Sequence, residues 1–117
     1  MTWLSAFLLT QAIEVPIYLV GLRGSSLSVP WRLGVAFGAS AATHPIVWFV
    51  LRDLLEARVG FVAYFAVAET FAVVAEAIYL RAFDVRNGGW WSLAANGTSA
   101  SVGLALWAVR AGLLDGR

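Results

Sequence analysis

"LLTQAIEVPIYLVGL", residues 8–22, sets one carboxylate, Glu14, in the middle of an otherwise apolar run. The run extends from Thr2 to Leu22, and about 20 mostly apolar residues suffice for a helix to cross the hydrocarbon core of a bilayer. Three further runs follow, from Trp31 to Leu51, Gly60 to Leu80 and Trp90 to Leu113. They are long, rich in Ala and Leu and not alternating, which argues for helices over strands. The linkers "RGSSLSVPWR", "RDLLEARVG" and "RAFDVRNGG" are short, so consecutive helices are expected to be antiparallel neighbours. The expected fold is all-α: a four-helix transmembrane bundle forming one integral membrane domain over residues 1–117.

Composition agrees. The chain is 61% hydrophobic and 13% charged, against about 45–50% and about 25% for soluble domains. A chain of 117 residues cannot hide that much apolar surface inside itself, because small domains bury the smallest fraction of their surface. Lipid is therefore its expected partner. A net charge of +1 argues against a nucleic-acid binder, which needs a basic face. The lack of Cys excludes disulfides, thiolate metal sites and cysteine nucleophiles. The N-terminal "MTWLSAFLLTQ" has no basic n-region, so the first run is expected to be a retained span.

Orientation is balanced. Arg23, Arg32, Arg81 and Arg86 flank the first and third linkers, and Arg52, Arg58, Arg110 and Arg117 lie at the opposite side. The positive-inside rule counts such residues, and the tie also permits dual topology.

Every run carries polar groups. Counted at 1.5 Å per residue from the side of the first and third linkers, Glu14, His44, Glu69 and Asn96 fall in a band about 9 to 20 Å deep. Helical phase places Thr10, Glu14 and Tyr18 on one stripe, with Gln11 beside them; Ser92, Asn96, Ser99 and Gly103 form another, and Glu69 and Glu76 share a face. An ionisable residue at a span centre costs about 2.5–3.5 kcal/mol, so these stripes are expected to face one another. Two close carboxylates share a proton or hold a cation rather than both standing ionised. Pro16 and Pro45, beside Glu14 and His44, are expected to kink their helices around a small cavity. Glu76 and Arg81 read as an interfacial pair. Ser99 and Ser101 read as packing residues. Trp3, Trp31, Trp90 and Trp91 read as an interfacial belt. Gly34 and Gly38 form a G-x-x-x-G that fits close helix contact, within the bundle or in a homo-oligomer.

The expected function is to bind or translocate a proton or cation, as a carrier or channel. Glu14, His44, Glu69 and Asn96 form the site, with Gln11, Glu76, Ser99 and Arg81 secondary. An alternative is an intramembrane hydrolase in which Glu14, His44 and Glu69 hold a divalent metal, although no H-E-x-x-H or G-x-S-x-G accompanies them. A structural subunit of a membrane complex is the third reading.

The size and Glu14 resemble the small multidrug resistance transporters, but those offer no counterpart to "ATHPIVW" or to the Glu69–Glu76 pair, and nothing is carried over. The motifs "IEVP", "THPIVW", "AETFAVVAEAIYLR" and "ANGTSASVG" together resemble a group of uncharacterised, small, four-span bacterial membrane proteins. That resemblance implies a bacterial source, hence an inner-membrane location, and four helices; it brings no activity.

Overall fold

A computed structural model describes residues 2–112; the expected span end at Leu113, and Arg117 of the charge count, lie outside the described residues. Those residues form four long helices and no strand. Helix α1 covers Trp3–Gly21, α2 Val29–Val59, α3 Phe61–Ala82 and α4 Gly88–Arg110. They run up-down-up-down, each packing on the next, with α4 closing on α1.

Local chemistry sets the ends. Thr2 caps α1 by accepting from the Ser5 N–H at 3.1 Å, satisfying a donor that the helix itself cannot. Pro30 sits in the first turn of α2, where its missing N–H costs nothing. The Arg32 side chain ties the first linker down, donating to the carbonyls of Leu27 at 2.8 Å and Ser25 at 3.2 Å. After α3 the Val85 N–H returns to the Leu80 carbonyl at 3.0 Å, and Val85 is buried.

The second linker is a correction. "RDLLEARV" is helical and extends α2 to Val59, leaving Gly60, at φ 84°, as the break before α3. The charges end the apolar run but not the helix, because Arg, Leu, Glu and Ala are all good helix formers and Arg52 pairs with Glu56 one turn on at 2.6 Å.

Neither proline ends its helix. α1 continues through Pro16 and α2 through Pro45. Pro45 lies just before a π-helical turn at Val47–Leu51, where the Arg52 N–H donates to the Val47 carbonyl. That carbonyl also accepts from the Tyr64 hydroxyl at 3.2 Å.

Three helices, α1 to α3, are long and apolar enough to cross a membrane. The fourth matches them in length, with 23 residues, but its Ser, Asn and Thr lower its hydropathy. Large apolar side chains such as Leu8, Val62, Ile78 and Leu93 point outward, while Ala36, Ala39, Ala68, Ala72 and Ala95 are buried with a set of polar residues. Small residues inside and large ones outside let helix backbones approach closely. The apolar core, with Tyr18, Leu22, Val35, Leu80 and Val85, lies at the end of the first and third linkers. The opposite end holds a cavity.

Candidate functional site

Two fully buried carboxyl groups occupy the middle of the bundle. Glu14 and Glu76 are each 1% exposed and line the same cavity. Glu14 accepts from Ser40 of α2 through Oε1 and from Ser99 of α4 at 2.5 Å through Oε2. Glu76 accepts from Tyr18 at 2.5 Å and Asn96 at 3.3 Å through Oε1, and from Thr43 at 2.8 Å through Oε2. All four helices thus contribute. Among the described residues no Arg or His pairs with either carboxyl; the one ion pair is Arg52–Glu56, far along α2.

Helical spacing explains the convergence. Ser40 and Thr43 are one turn apart on the buried face of α2, which also carries Ala36 and Ala39. On α3 the buried positions Tyr64, Ala68, Ala72, Glu76 and Leu80 repeat every fourth residue, one stripe of a helix. Asn96 organises the α4 side: its Nδ2 faces the Tyr18 hydroxyl at 3.2 Å and the Ser92 carbonyl at 3.0 Å. Ser92 in turn donates to the Val73 carbonyl at 2.7 Å. Such a network is strong when every member is satisfied.

Glu76 departs from expectation. It is a centre of the network and does not pair with Arg81, which is exposed. Five residues correspond to about 500° of helical rotation, so the two side chains leave α3 on different sides. Depth counted from the ends of apolar runs also misplaced Glu76, because the helices are not flush: Thr43, late in the α-helical part of α2, meets Glu76 in the last turns of α3.

A cavity of about 300 Å³ opens from this network towards Arg52 and Arg110. Glu14, Thr43, Glu76, Asn96 and Ser99 line its floor, with Trp48, Phe61, Phe65 and Trp107 among its walls. His44 and Glu69 line it too, but neither joins the network. His44 packs against Phe7 and Trp3, with ring centroids 5.5 and 6.1 Å away, and its Nε2 is buried without a partner. Glu69 Oε2 is likewise unpartnered. Glu69 precedes the buried α3 position Ala72 by three residues and follows Ala68 by one, which sets it at the edge of the stripe.

The expected set is therefore divided. Glu14 and Asn96 both enter the network, Ser99 serves as a donor to Glu14, and Glu69 and His44 stand on the cavity wall. Gln11 is buried but donates to the Phe37 carbonyl at 3.1 Å, fastening α1 to α2. Ser101 is exposed and bonded to its own helix. Among the described residues no three His, Asp or Glu side chains are grouped to hold a metal, so the ligand set Glu14, His44 and Glu69 is not assembled. Gly38 is spent within the bundle: a Cβ there would meet the Tyr79 hydroxyl at 2.5 Å, whereas Gly34 faces open space. Trp31 and Trp90 face outward as a belt would; Trp91 instead packs on Gly21, and Trp3 stacks on Phe7.

Tyr18 and Ser92 stand on the expected polar stripes though outside the expected site set, and Ser40 and Thr43 are new to it. A signal for these two existed, since Ser40 and Thr43 mark a small-residue face of α2. Comparison with protein-family models, curated proteins and solved structures finds no match. The resemblance to small bacterial membrane proteins thus rests on its short motifs.

Proposed function

We propose that the chain is a multi-pass protein of a bacterial inner membrane that binds a proton or cation at the Glu14–Glu76 pair and exchanges it through the cavity, as a carrier or channel. One observation carries this reading: two buried carboxyls on one cavity, wrapped in hydroxyl and amide donors, with no fixed cation beside them among the described residues. Two carboxylates so placed do not both stay ionised without compensating charge. The compensation is then a mobile species, and the cavity is its route. Intramembrane acidic residues facing a bundle interior are what ion pathways and proton relays use. Four spans follow if α4, the most polar helix, is held in the membrane by the three apolar ones.

The test is proton uptake in liposomes containing the purified protein and a trapped pH indicator. The parent is expected to pass or exchange protons, and Glu14→Gln and Glu76→Gln each to abolish this while remaining helical and folded. Parent-like exchange in both variants would overturn the reading and leave the pair as interhelical packing.

A further inference from the structure

The floor of the cavity has its donors, but its wall does not. Glu14 is served by Ser40 and Ser99, and Glu76 by Tyr18, Thr43 and Asn96. Glu69, on the same cavity, is the carboxyl among the described residues with a buried oxygen that none of them serves. Such an atom is costly unless something supplies a donor. A hydrated inorganic ion would satisfy it but would leave the rest of the chamber unused. Phe61 and Trp107 stack there with centroids 4.9 Å apart, and Phe65 lies 5.6 Å from Phe61. Pockets of about 300 Å³ and upward, mostly apolar with a few placed polar groups, are the usual form of a small-molecule site.

We propose that this chamber binds an organic amine, with its N–H groups on Glu69 and its apolar body among Phe61, Phe65 and Trp107. This rests on the proposed function and names its cargo class. The mouth selects further. Arg52 is held by Glu56 at 2.6 Å and lies over Trp48 at 5.0 Å, and Arg110 also borders the opening. A permanently charged cation meets these guanidinium groups, whereas an amine can pass as its free base. At a protonated Glu69 the carboxyl O–H then breaks and an N–H forms, leaving an ammonium–carboxylate pair with no net change in charge. A quaternary ammonium can neither make that transfer nor donate a hydrogen bond.

The experiment titrates the full chain in detergent micelles, and again in lipid nanodiscs, with 2-phenylethylamine. Tryptophan fluorescence and calorimetry follow binding, since Trp48 and Trp107 line the chamber. Ethylbenzene and the N-trimethylated analogue serve as comparisons. Saturable amine binding is expected, weaker by about tenfold or more for the quaternary analogue and in Glu69→Gln and Phe61→Ala. Glu69→Asp, which retains the acid, should keep a measurable part of the affinity and covers the case in which Glu69→Gln fails to fold. Equal binding of amine and ethylbenzene, or no amine binding in either medium, overturns the proposal; the former would mark the chamber as a slot for lipid tails. Proton exchange in liposomes without amine binding sinks this inference alone. Amine binding without proton exchange sinks the coupled reading and leaves the amine site standing.

Discussion

Tyr18 and Glu76, 58 residues apart in the chain, meet through a 2.5 Å hydrogen bond in which the phenol donates to the carboxyl. The contact crosses from α1 to α3, so it spans the bundle where adjacent helices could not. Tyr18→Phe removes the donor, and Asn96 loses one acceptor as well. A buried group left unserved costs about 1–3 kcal/mol. The variant should therefore unfold at a lower temperature or denaturant concentration in micelles; an unchanged midpoint would show that water replaces the phenol.

Ser40 and Ser99 act on one carboxyl from two helices. Ser40→Ala and Ser99→Ala should each cost about 1 kcal/mol. Because both serve Glu14, the double variant should deviate from additivity by about 0.5 kcal/mol or more. A double-mutant cycle on unfolding free energies reads this directly, and strict additivity would mean that the two contacts are independent.

Gly21 and Gly34 should respond oppositely to Ala. A Cβ at Gly21 would come within 2.8 Å of the Trp91 ring, an overpacking worth about 1–3 kcal/mol. Gly34 has nothing within 4 Å of such an atom, so Gly34→Ala should leave monomer stability intact. Loss of a crosslinked oligomer in Gly34→Ala would identify that face as the contact between copies.

Arg81→Ala should leave proton exchange at the parent level, because Glu76 takes its partners from Tyr18, Thr43 and Asn96. Reduced exchange in liposomes would show that Arg81 controls access to the pair.

Elemental analysis of the purified parent beside His44→Ala should find no stoichiometric transition metal in either. His44 sits in an aromatic nest, away from any group of three potential ligands among the described residues. A metal lost in the variant would move the reading to a metalloprotein.

Helix number, direction and the polar stripes of α1 and α4 were legible because apolar run length and helical phase are properties of a single helix. Glu14 and Asn96 were found in that way. What one helix cannot report is its axial offset against its neighbours. Counting from apolar ends assigned Glu76 to the surface, whereas its place depends on how far α3 runs past Leu80 and where α2 stands beside it. His44 drew attention because it titrates, yet Thr43, one residue and about 100° of rotation away, is the side chain that enters the network. Hydroxyl groups are inexpensive to bury beside a carbonyl, so sequence gives them little weight. Here they hold both carboxyls.

The π-helical turn at Val47–Leu51 amounts to one residue added to an otherwise regular α-helix. Each α-helical residue advances the chain by about 100°, so an added residue that was not taken up would put everything from Arg52 to Val59 out of step with the face that carries Ser40 and Thr43. The wider turn takes that residue up, so deleting a single residue here would restore the α period and leave Arg52 and its partner Glu56 on nearly the same side of α2, with Ser40, Thr43 and the carboxyl pair in place. The π-turn is therefore the place in α2 where one codon can be lost without turning the rim of the cavity against its floor; the same loss from the regular helix on either side would rotate the rim by about 100°.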